Sequence, residues 1–189
     1  MQTGKRKLYD VQGAFGGAVL DFHQRLHDRA NPAGRAARAR LRRCADESDA
    51  ILERDAIRLV TAVRSDARVS RQEIDDLQLL RLAPLLAWLE KHDGRRSLPE
   101  QLALPRGEGS TAPRLSELRY RRLLESEGAD FSMTMRRALQ LLDEPGDVLS
   151  LAEAVCDWDH PDHGPALKRR WAFQYYGSLP DALKTKNKS

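Results

Sequence analysis

Four short clusters of arginine and lysine on separate predicted helices are the part of the sequence best suited to bind a ligand. Arginine is weakly hydrated, and its planar guanidinium can pair with two phosphate oxygens at once. Arginines three or four residues apart on a helix share a face and repel one another unless an anion lies opposite them. The clusters therefore predict a surface that binds a polyanion. The candidate residues are Arg35, Arg38, Arg42 and Arg43 in the first cluster, Arg119, Arg121 and Arg122 in the second, Arg136 and Arg137 in the third, and Lys168, Arg169 and Arg170 in the fourth.

The positive charge is concentrated rather than spread over the chain. Residues 1–45 contain ten basic and three acidic side chains, a local charge of +7, whereas all 189 residues together carry 32 basic and 28 acidic side chains, or +4. A concentrated charge is typical of a surface that binds nucleic acid, whereas a solubilising surface has its charges mixed.

Two groups of histidine and aspartate residues could hold a metal ion instead. His23 and His27 are four residues apart, but Gln24 stands where a metallohydrolase helix has glutamate, so the polar face of a surface helix is the favoured interpretation. The segment 157–163 contains three aspartates and two histidines, which could ligate a divalent cation. Helix capping and turn formation explain this segment better, and we expect no metal there.

No residue pattern indicates a catalytic centre. The glycines near residue 13 are not followed by the Gly-Lys-Ser/Thr of a phosphate loop, and no serine lies in a Gly-x-Ser-x-Gly turn. Cys44 lies among arginines, which would lower the pKa of its thiol, but no histidine is near it in the sequence. We therefore expect a protein that is not an enzyme and that needs no cofactor.

The elements that must position the basic clusters are predicted to be helices. Phe15, Val19, Phe22 and Leu26 form one apolar stripe of a first helix, and no segment alternates with a period of two. The prediction is an all-α fold of seven to nine helices without a sheet. The further helices are predicted at residues 35–45, 49–64, 73–91, 115–125, 131–142, 148–158 and 165–177.

Two of the predicted helices carry specific expectations. Leu52 belongs to the apolar stripe of the helix at 49–64, and Leu77 belongs to that of the helix at 73–91. Both leucines are therefore expected in the core. Pro84 is expected to kink or restart the second of these helices, because its ring obstructs the preceding turn.

The chain is predicted to form two small packed helical bundles. The proposed boundaries are 1–92 for the first bundle, 93–114 for a loop or linker, 115–178 for the second bundle and 179–189 for a basic tail, with mobility expected at 105–113. Two cysteines cannot build a disulfide scaffold, and no apolar run approaches the roughly 20 residues that span a bilayer. We expect a cytoplasmic protein that does not bind membranes.

The order of the basic segments resembles a known family. Gly34 precedes the arginine-rich segment 35–43, and the segments 116–124 (Ser-Glu-Leu-Arg-Tyr-Arg-Arg-Leu-Leu), 135–142 (Met-Arg-Arg-Ala-Leu-Gln-Leu-Leu) and 168–176 (Lys-Arg-Arg-Trp-Ala-Phe-Gln-Tyr-Tyr) follow. In this order the chain resembles the CasB family, the small subunit of the type I-E CRISPR surveillance complex (Cascade), over about residues 12–177.

The resemblance implies an all-α, non-catalytic protein that serves antiviral defence. Two copies would stack head to tail beside the backbone subunits that carry the guide RNA, and the large subunit would be a further partner. The basic surface would hold the target and displaced DNA strands and so stabilise the R-loop. Every candidate residue named above except Arg35 and Arg38 matches a basic position of the family's segments. Tyr120 is a candidate for stacking on a base, whereas Trp171, Tyr175 and Tyr176 are expected in the core.

Two alternatives remain open at this stage. A helix-turn-helix regulator would also be helical and basic, but it needs polar base-reading residues on one recognition helix. A helical scaffold that binds only protein would use its arginines for solubility, and genome composition would explain their number. Retention on DNA that falls steeply with salt would separate the protein-only scaffold from a phosphate-binding protein.

Overall fold

The computed structural model describes residues 11–66, 69, 74–107, 109–142 and 145–180. Within these residues the chain forms ten α-helices and no β-strand, which confirms the all-α prediction. The helices are α1 (Ala14–His27), α2 (Pro32–Leu41), α3 (Glu47–Ala50), α4 (Arg54–Ser65), α5 (Asp76–Leu86), α6 (Leu98–Ala103), α7 (Glu117–Glu125), α8 (Gly128–Gln140), α9 (Val148–Asp157) and α10 (Gly164–Ser178). The predicted tail beyond residue 180 and the basic residues 1–7 lie outside the described residues.

The number of helices exceeds the predicted seven to nine because the apolar pattern of the sequence did not predict two short helices. The predicted helix at 49–64 is split: the side chain of Asp46 caps α3 by accepting from the backbone N–H groups of Ser48 and Asp49, and α4 begins only at Arg54. Leu52 lies between the two helices and is 83% exposed, so its predicted place in the core is wrong.

The second additional helix, α6, lies inside the segment predicted as a linker. A capping box starts it, because the Glu100 carboxylate accepts from both the backbone N–H and the hydroxyl of Ser97, each at 2.7 Å. This helix packs against α10 and α9, and its residues Leu98 and Leu102 are buried. A segment this short falls below the length at which helical periodicity can be read from sequence.

The helix α5 is shorter than its predicted span of 73–91. It continues through Pro84, which is buried, and ends two residues later at Leu86. Leu77 is 52% exposed in the first turn of α5, beside the exposed Asp75 and Asp76, so its expected burial is also wrong. The residues that follow the helix remain close to the core, since Leu89 is buried and Trp88 is half-buried.

One continuous apolar cluster forms the centre of the described structure. The helices α1 and α5 both pack on α9, α5 also packs on α8, and α6 packs on α10. Residues from both predicted bundles therefore contribute to the same cluster. The division of the chain near 93–114 into two bundles stays a prediction. Among the described residues, no helix combines the length and the apolar composition that a bilayer span requires.

The predicted loop at 105–113 is held at both ends. Pro105 and Pro113 form an isolated antiparallel bridge, and the N–H of Leu115 donates to the Leu102 carbonyl at 3.0 Å. The buried Arg114 donates to the Gln101 carbonyl at 3.1 Å. The mobility expected for this loop stays a prediction.

Aromatic side chains fill the core beneath α7 and α10. Tyr120 is fully buried and stacks on Tyr175, with ring centroids 3.7 Å apart, so its predicted role in base stacking is wrong. Trp171 and Tyr175 are buried as expected, and Tyr176 is half-buried against them. Sequence spacing could not place Tyr120, because its partner lies 55 residues away along the chain.

Removing the hydroxyl group is expected to affect the free energy of unfolding differently at Tyr120 and at Tyr175. Tyr175 donates its hydroxyl to the Leu115 carbonyl, whereas the buried Tyr120 hydroxyl has no hydrogen-bond partner in the described structure. We expect Tyr175→Phe to lower the free energy of unfolding by about 1 kcal/mol and Tyr120→Phe to leave it unchanged or raise it. Urea unfolding of both variants measures this, and an equal loss in both would contradict it.

Candidate nucleic-acid interface

Three of the predicted arginines meet in a groove between α7 and α8. Arg119 and Arg122 enter it from α7, Arg137 enters it from α8, and the cavity has a volume of about 570 Å³. All three side chains are exposed, and none has a hydrogen bond or ion pair with the described residues. The groove therefore presents three unneutralised guanidinium groups from two clusters that are separate in sequence.

The buried faces of the two helices determine which arginines reach the groove. In α7 the core side is Tyr120 and Leu123, which places Arg119 and Arg122 beside it, one turn apart. In α8 the core side includes Met135 and Ala138, which leaves Arg137 at the surface. Burial of each apolar stripe thus turns the charged residues towards the same opening.

The charge of the groove is uneven along its length. Glu125 and Asp130 lie at the ends of α7 and α8 that the short connection 126–127 joins. Arg119 and Arg137 lie towards the opposite ends of the same helices. The positive end of the groove is therefore suited to an anion, and the acidic end is not.

Arg136 does not share the groove with its neighbour Arg137. One of its terminal nitrogens donates to the Cys44 carbonyl and lies 3.4 Å from the carbonyl of Ala45, which ties α8 to the chain segment after α2. Its Nε is buried without a hydrogen-bond partner in the described structure. Cys44 is buried, and burial raises the pKa of its thiol with smaller contributions from Glu53 and Asp49. Arg136 lowers this pKa but is outweighed, so the expected net lowering by arginines is wrong.

The four arginines of the first cluster, in α2 and just after it, do not share one solvent-facing side. Arg38 donates to Nδ1 of His27 at 3.2 Å. Arg42 lies 4.8 Å above the Trp88 ring, and its Nε donates to the Ala87 carbonyl at 2.8 Å. Within this cluster, only Arg35 and Arg43 are exposed without an internal partner in the described structure.

A second cavity extends the groove towards Arg42. It has a volume of about 410 Å³ and is lined by Arg42, Trp88 and Lys91, among others. Gln140, at the end of α8, lines both this cavity and the groove between α7 and α8. Lys91 is exposed and was not among the predicted site residues.

The cluster on α10 is also divided. Lys168 lies 5.2 Å above the Trp158 ring, and Arg170 forms an ion pair with Glu153 of α9. Arg169 is exposed and has no partner in the described structure. Phe173, which sequence reasoning did not single out, is 78% exposed one turn after Arg169.

The histidines His23 and His27 contact the end of α5 instead of facing solvent. Their Nε2 atoms donate to the carbonyls of Leu89 and Leu86 at 2.7 and 3.2 Å, and the two rings stack with centroids 4.5 Å apart. The predicted polar surface face is therefore wrong for both. The pKa of His27 is lowered to about 4, mainly by burial and also by the neighbouring His23, while the hydrogen bond to Leu86 opposes both effects.

The lowered pKa of His27 predicts a stability that depends on pH. Between pH 6.5 and about 4 the unfolded histidine binds a proton that the folded one does not, so stability is full above pH 6.5 and falls as the pH drops through this range. His27→Gln keeps a donor for the Leu86 carbonyl and cannot titrate, so we expect it to flatten this dependence. Thermal unfolding at pH 7 and pH 4.5 measures the effect. His163→Gln, a loop histidine, is the control, and an equal flattening in both variants would contradict the prediction.

The acidic segment at 157–163 forms hydrogen bonds within the fold. The Asp159 carboxylate accepts from the backbone N–H of Gly128 at 3.0 Å, where α8 begins. Nδ1 of His160 accepts from the backbone N–H groups of Asp162 and His163 at 3.1 and 3.3 Å. Among the described residues, no group of three or more histidine, cysteine, aspartate or glutamate side chains is arranged to hold a metal ion.

Comparison with known proteins identifies relatives of this chain. The family model described as CRISPR-associated protein Cse2 matches residues 37–176. This range includes α7, α8 and most of α10, and hence three of the four basic clusters in full. No curated protein sequence matches the chain significantly.

Two solved structures share the fold over most of its length. CasB from Thermus thermophilus is 26% identical, with a TM-score of 0.63, and the match covers 86% of this chain and 97% of that one. A CRISPR-associated protein of the Cse2 family, from the same species, is 27% identical, with a TM-score of 0.62 and the same coverage.

Proposed function

Because this chain belongs to the Cse2 (CasB) family of CRISPR-associated proteins, the small subunits of type I-E Cascade, we propose that it holds DNA strands by their phosphates without reading the bases. In this role it stabilises the R-loop that forms when the guide RNA pairs with DNA, and it performs no catalysis itself. Its ligands are the target and displaced DNA strands. Its protein partners are the guide-RNA complex with its backbone and large subunits, and a second copy of the chain.

The observation that carries this proposal is the groove between α7 and α8. Three exposed arginines without internal partners line it, and they come from two helices. Guanidinium groups in such a position release counterions from a phosphate backbone when they bind it, whatever the base sequence. An R-loop exchanges one duplex for another of similar stability, so modest contacts to the backbone can shift the balance.

The structure divides the predicted residues into two groups by their contacts. Arg38, Arg42, Arg136, Lys168 and Arg170 each interact with another residue of the chain. The other candidates are exposed and have no partner among the described residues, and we propose that they are the phosphate-binding group. They are Arg35, Arg43, Arg119, Arg121, Arg122, Arg137 and Arg169.

A salt titration of the purified protein tests the proposal. Fluorescence anisotropy with single- and double-stranded DNA of two unrelated sequences, at two or more salt concentrations, gives the affinity and its salt dependence. Phosphate binding predicts equal affinity for both sequences and a slope of log affinity against log salt of about −0.9 for each phosphate neutralised on duplex DNA. Absence of binding at low salt would instead favour the scaffold that binds only protein.

A further inference from the structure

Phe173 is an aromatic side chain that the folded chain leaves in solvent. It is 78% exposed on α10, whereas Trp171 and Tyr175, two residues before and after it, are fully buried. The helix therefore packs Trp171 and Tyr175 into the core and presents the ring of Phe173 to solvent. Burying a phenylalanine ring stabilises a folded chain, and folding does not use this large apolar group.

The surroundings of Phe173 are basic and open. Arg169 lies one turn before it on the same face, about 6 Å along the helix axis, and is exposed without a partner in the described structure. Arg170 lies next to Arg169 and pairs with Glu153. One turn after Phe173 is Gly177, where an added Cβ would meet no atom of the described residues within 4 Å. A flat ligand can thus reach the ring from the side of Gly177 while Arg169 faces an anion.

We propose that Phe173 is a stacking platform for an unpaired base, with Arg169 on the phosphate backbone of the same strand. This inference rests on the proposed function and adds a preference for single-stranded over double-stranded DNA. An aromatic ring beside a free arginine is the combination that binds single strands without sequence preference. In duplex DNA the faces of the bases are covered by their neighbours, so the ring has nothing to stack on.

The composition of this face favours a nucleic acid over a protein partner. Surfaces that bind proteins usually present a contiguous apolar patch. On α10, Phe173 is the only large apolar residue that is exposed, and the other exposed positions are small residues and arginines. A single ring between cationic and small residues fits a strand in which bases and phosphates alternate.

Anisotropy titration of the full-length protein with an oligothymidine and with a duplex of equal length tests the proposal. Phe173→Ala is expected to weaken binding of the oligothymidine about tenfold and binding of the duplex less than twofold, with the salt slope unchanged. Phe173→Tyr should retain the affinity for the single strand because it keeps the ring. Leu52→Ala, another highly exposed apolar residue, is the matched control and should change neither affinity.

An oligonucleotide of abasic sites provides a second readout, because it keeps the phosphates and lacks the bases. The wild type and Phe173→Ala should bind it equally. Phe173→Ala could weaken single-strand and duplex binding equally, or weaken neither. If wild-type binding still depends on salt, either result would overturn the stacking platform and leave the proposed function standing. A wild type that binds no DNA at any salt concentration would overturn both this inference and the proposed function. If Phe173→Ala no longer assembled with the other Cascade subunits but bound the single strand with unchanged affinity, Phe173 would be assigned to a protein contact.

Discussion

Replacing Arg119 and Arg137 with glutamate is expected to lower the affinity for non-specific DNA by about a hundredfold at low salt and to reduce the salt slope by about two. The two side chains enter the groove from α7 and α8 and have no internal partners in the described structure. Each reversal removes one phosphate contact and adds a negative charge to a groove that already contains Glu125 and Asp130. The expected effect is the same for all DNA sequences, because phosphates carry no base information.

The matched control reverses two arginines outside the four clusters. Arg54 begins α4, Arg106 lies in the loop before Pro113, and both are exposed without a partner among the described residues. The double variant Arg54→Glu, Arg106→Glu has the same net charge as the groove variant. If the control weakened DNA binding equally, binding would depend on the total charge of the protein and the groove would have no special role.

Replacing Arg136 with alanine is expected to destabilise the fold by about 2–3 kcal/mol, the range for a lost hydrogen bond from a charged group together with a carbonyl left unsatisfied. Arg136 joins α8 to the carbonyl of Cys44, 92 residues away along the chain. For a protein of this size the thermal midpoint should fall by roughly 4–12 °C. Differential scanning calorimetry measures the change directly.

The neighbouring residue supplies the control for this prediction. Arg137→Ala should alter the free energy of unfolding by less than about 0.5 kcal/mol, because its side chain is exposed and has no partner in the described structure. The same variant should weaken DNA binding. Arg136→Ala is therefore expected to change mainly the stability, and Arg137→Ala mainly the affinity for DNA. Similar midpoints for Arg136→Ala and Arg137→Ala would show that the bond to Cys44 contributes little.

Most helices could be predicted from sequence because their signals are local. The apolar residues of α1 recur every three or four positions, and the structure buries Phe15, Val19, Phe22 and Leu26 as that spacing predicts. The helices α9 and α10 lie within one residue of their predicted bounds at each end. The errors at Leu52 and Leu77 arose where a break or an exposed first turn interrupted the periodic pattern.

The candidate site could be predicted only in part. Sequence identified all four basic clusters, since charge and spacing are visible without a fold. It could not distinguish Arg136 from Arg137, because adjacent residues on a helix point about 100° apart and the core decides which one is covered. It also missed Phe173, since an aromatic residue between a tryptophan and two tyrosines has the composition of a core helix.

By itself, the sequence determined the helical class, the positions of most helices and the presence of four basic clusters on separate helices. Each of these depends on residues within one or two turns of each other. The tertiary structure alone decided which arginines are free and which are bound within the fold. The partners of the bound arginines are distant in sequence: Cys44 for Arg136, and Ala87 for Arg42. It also brought Arg119 and Arg137 to one groove, where two apolar stripes pack on a shared core. Packing between distant segments minimises exposed apolar area, and the polar side chains take the positions that this packing leaves to them.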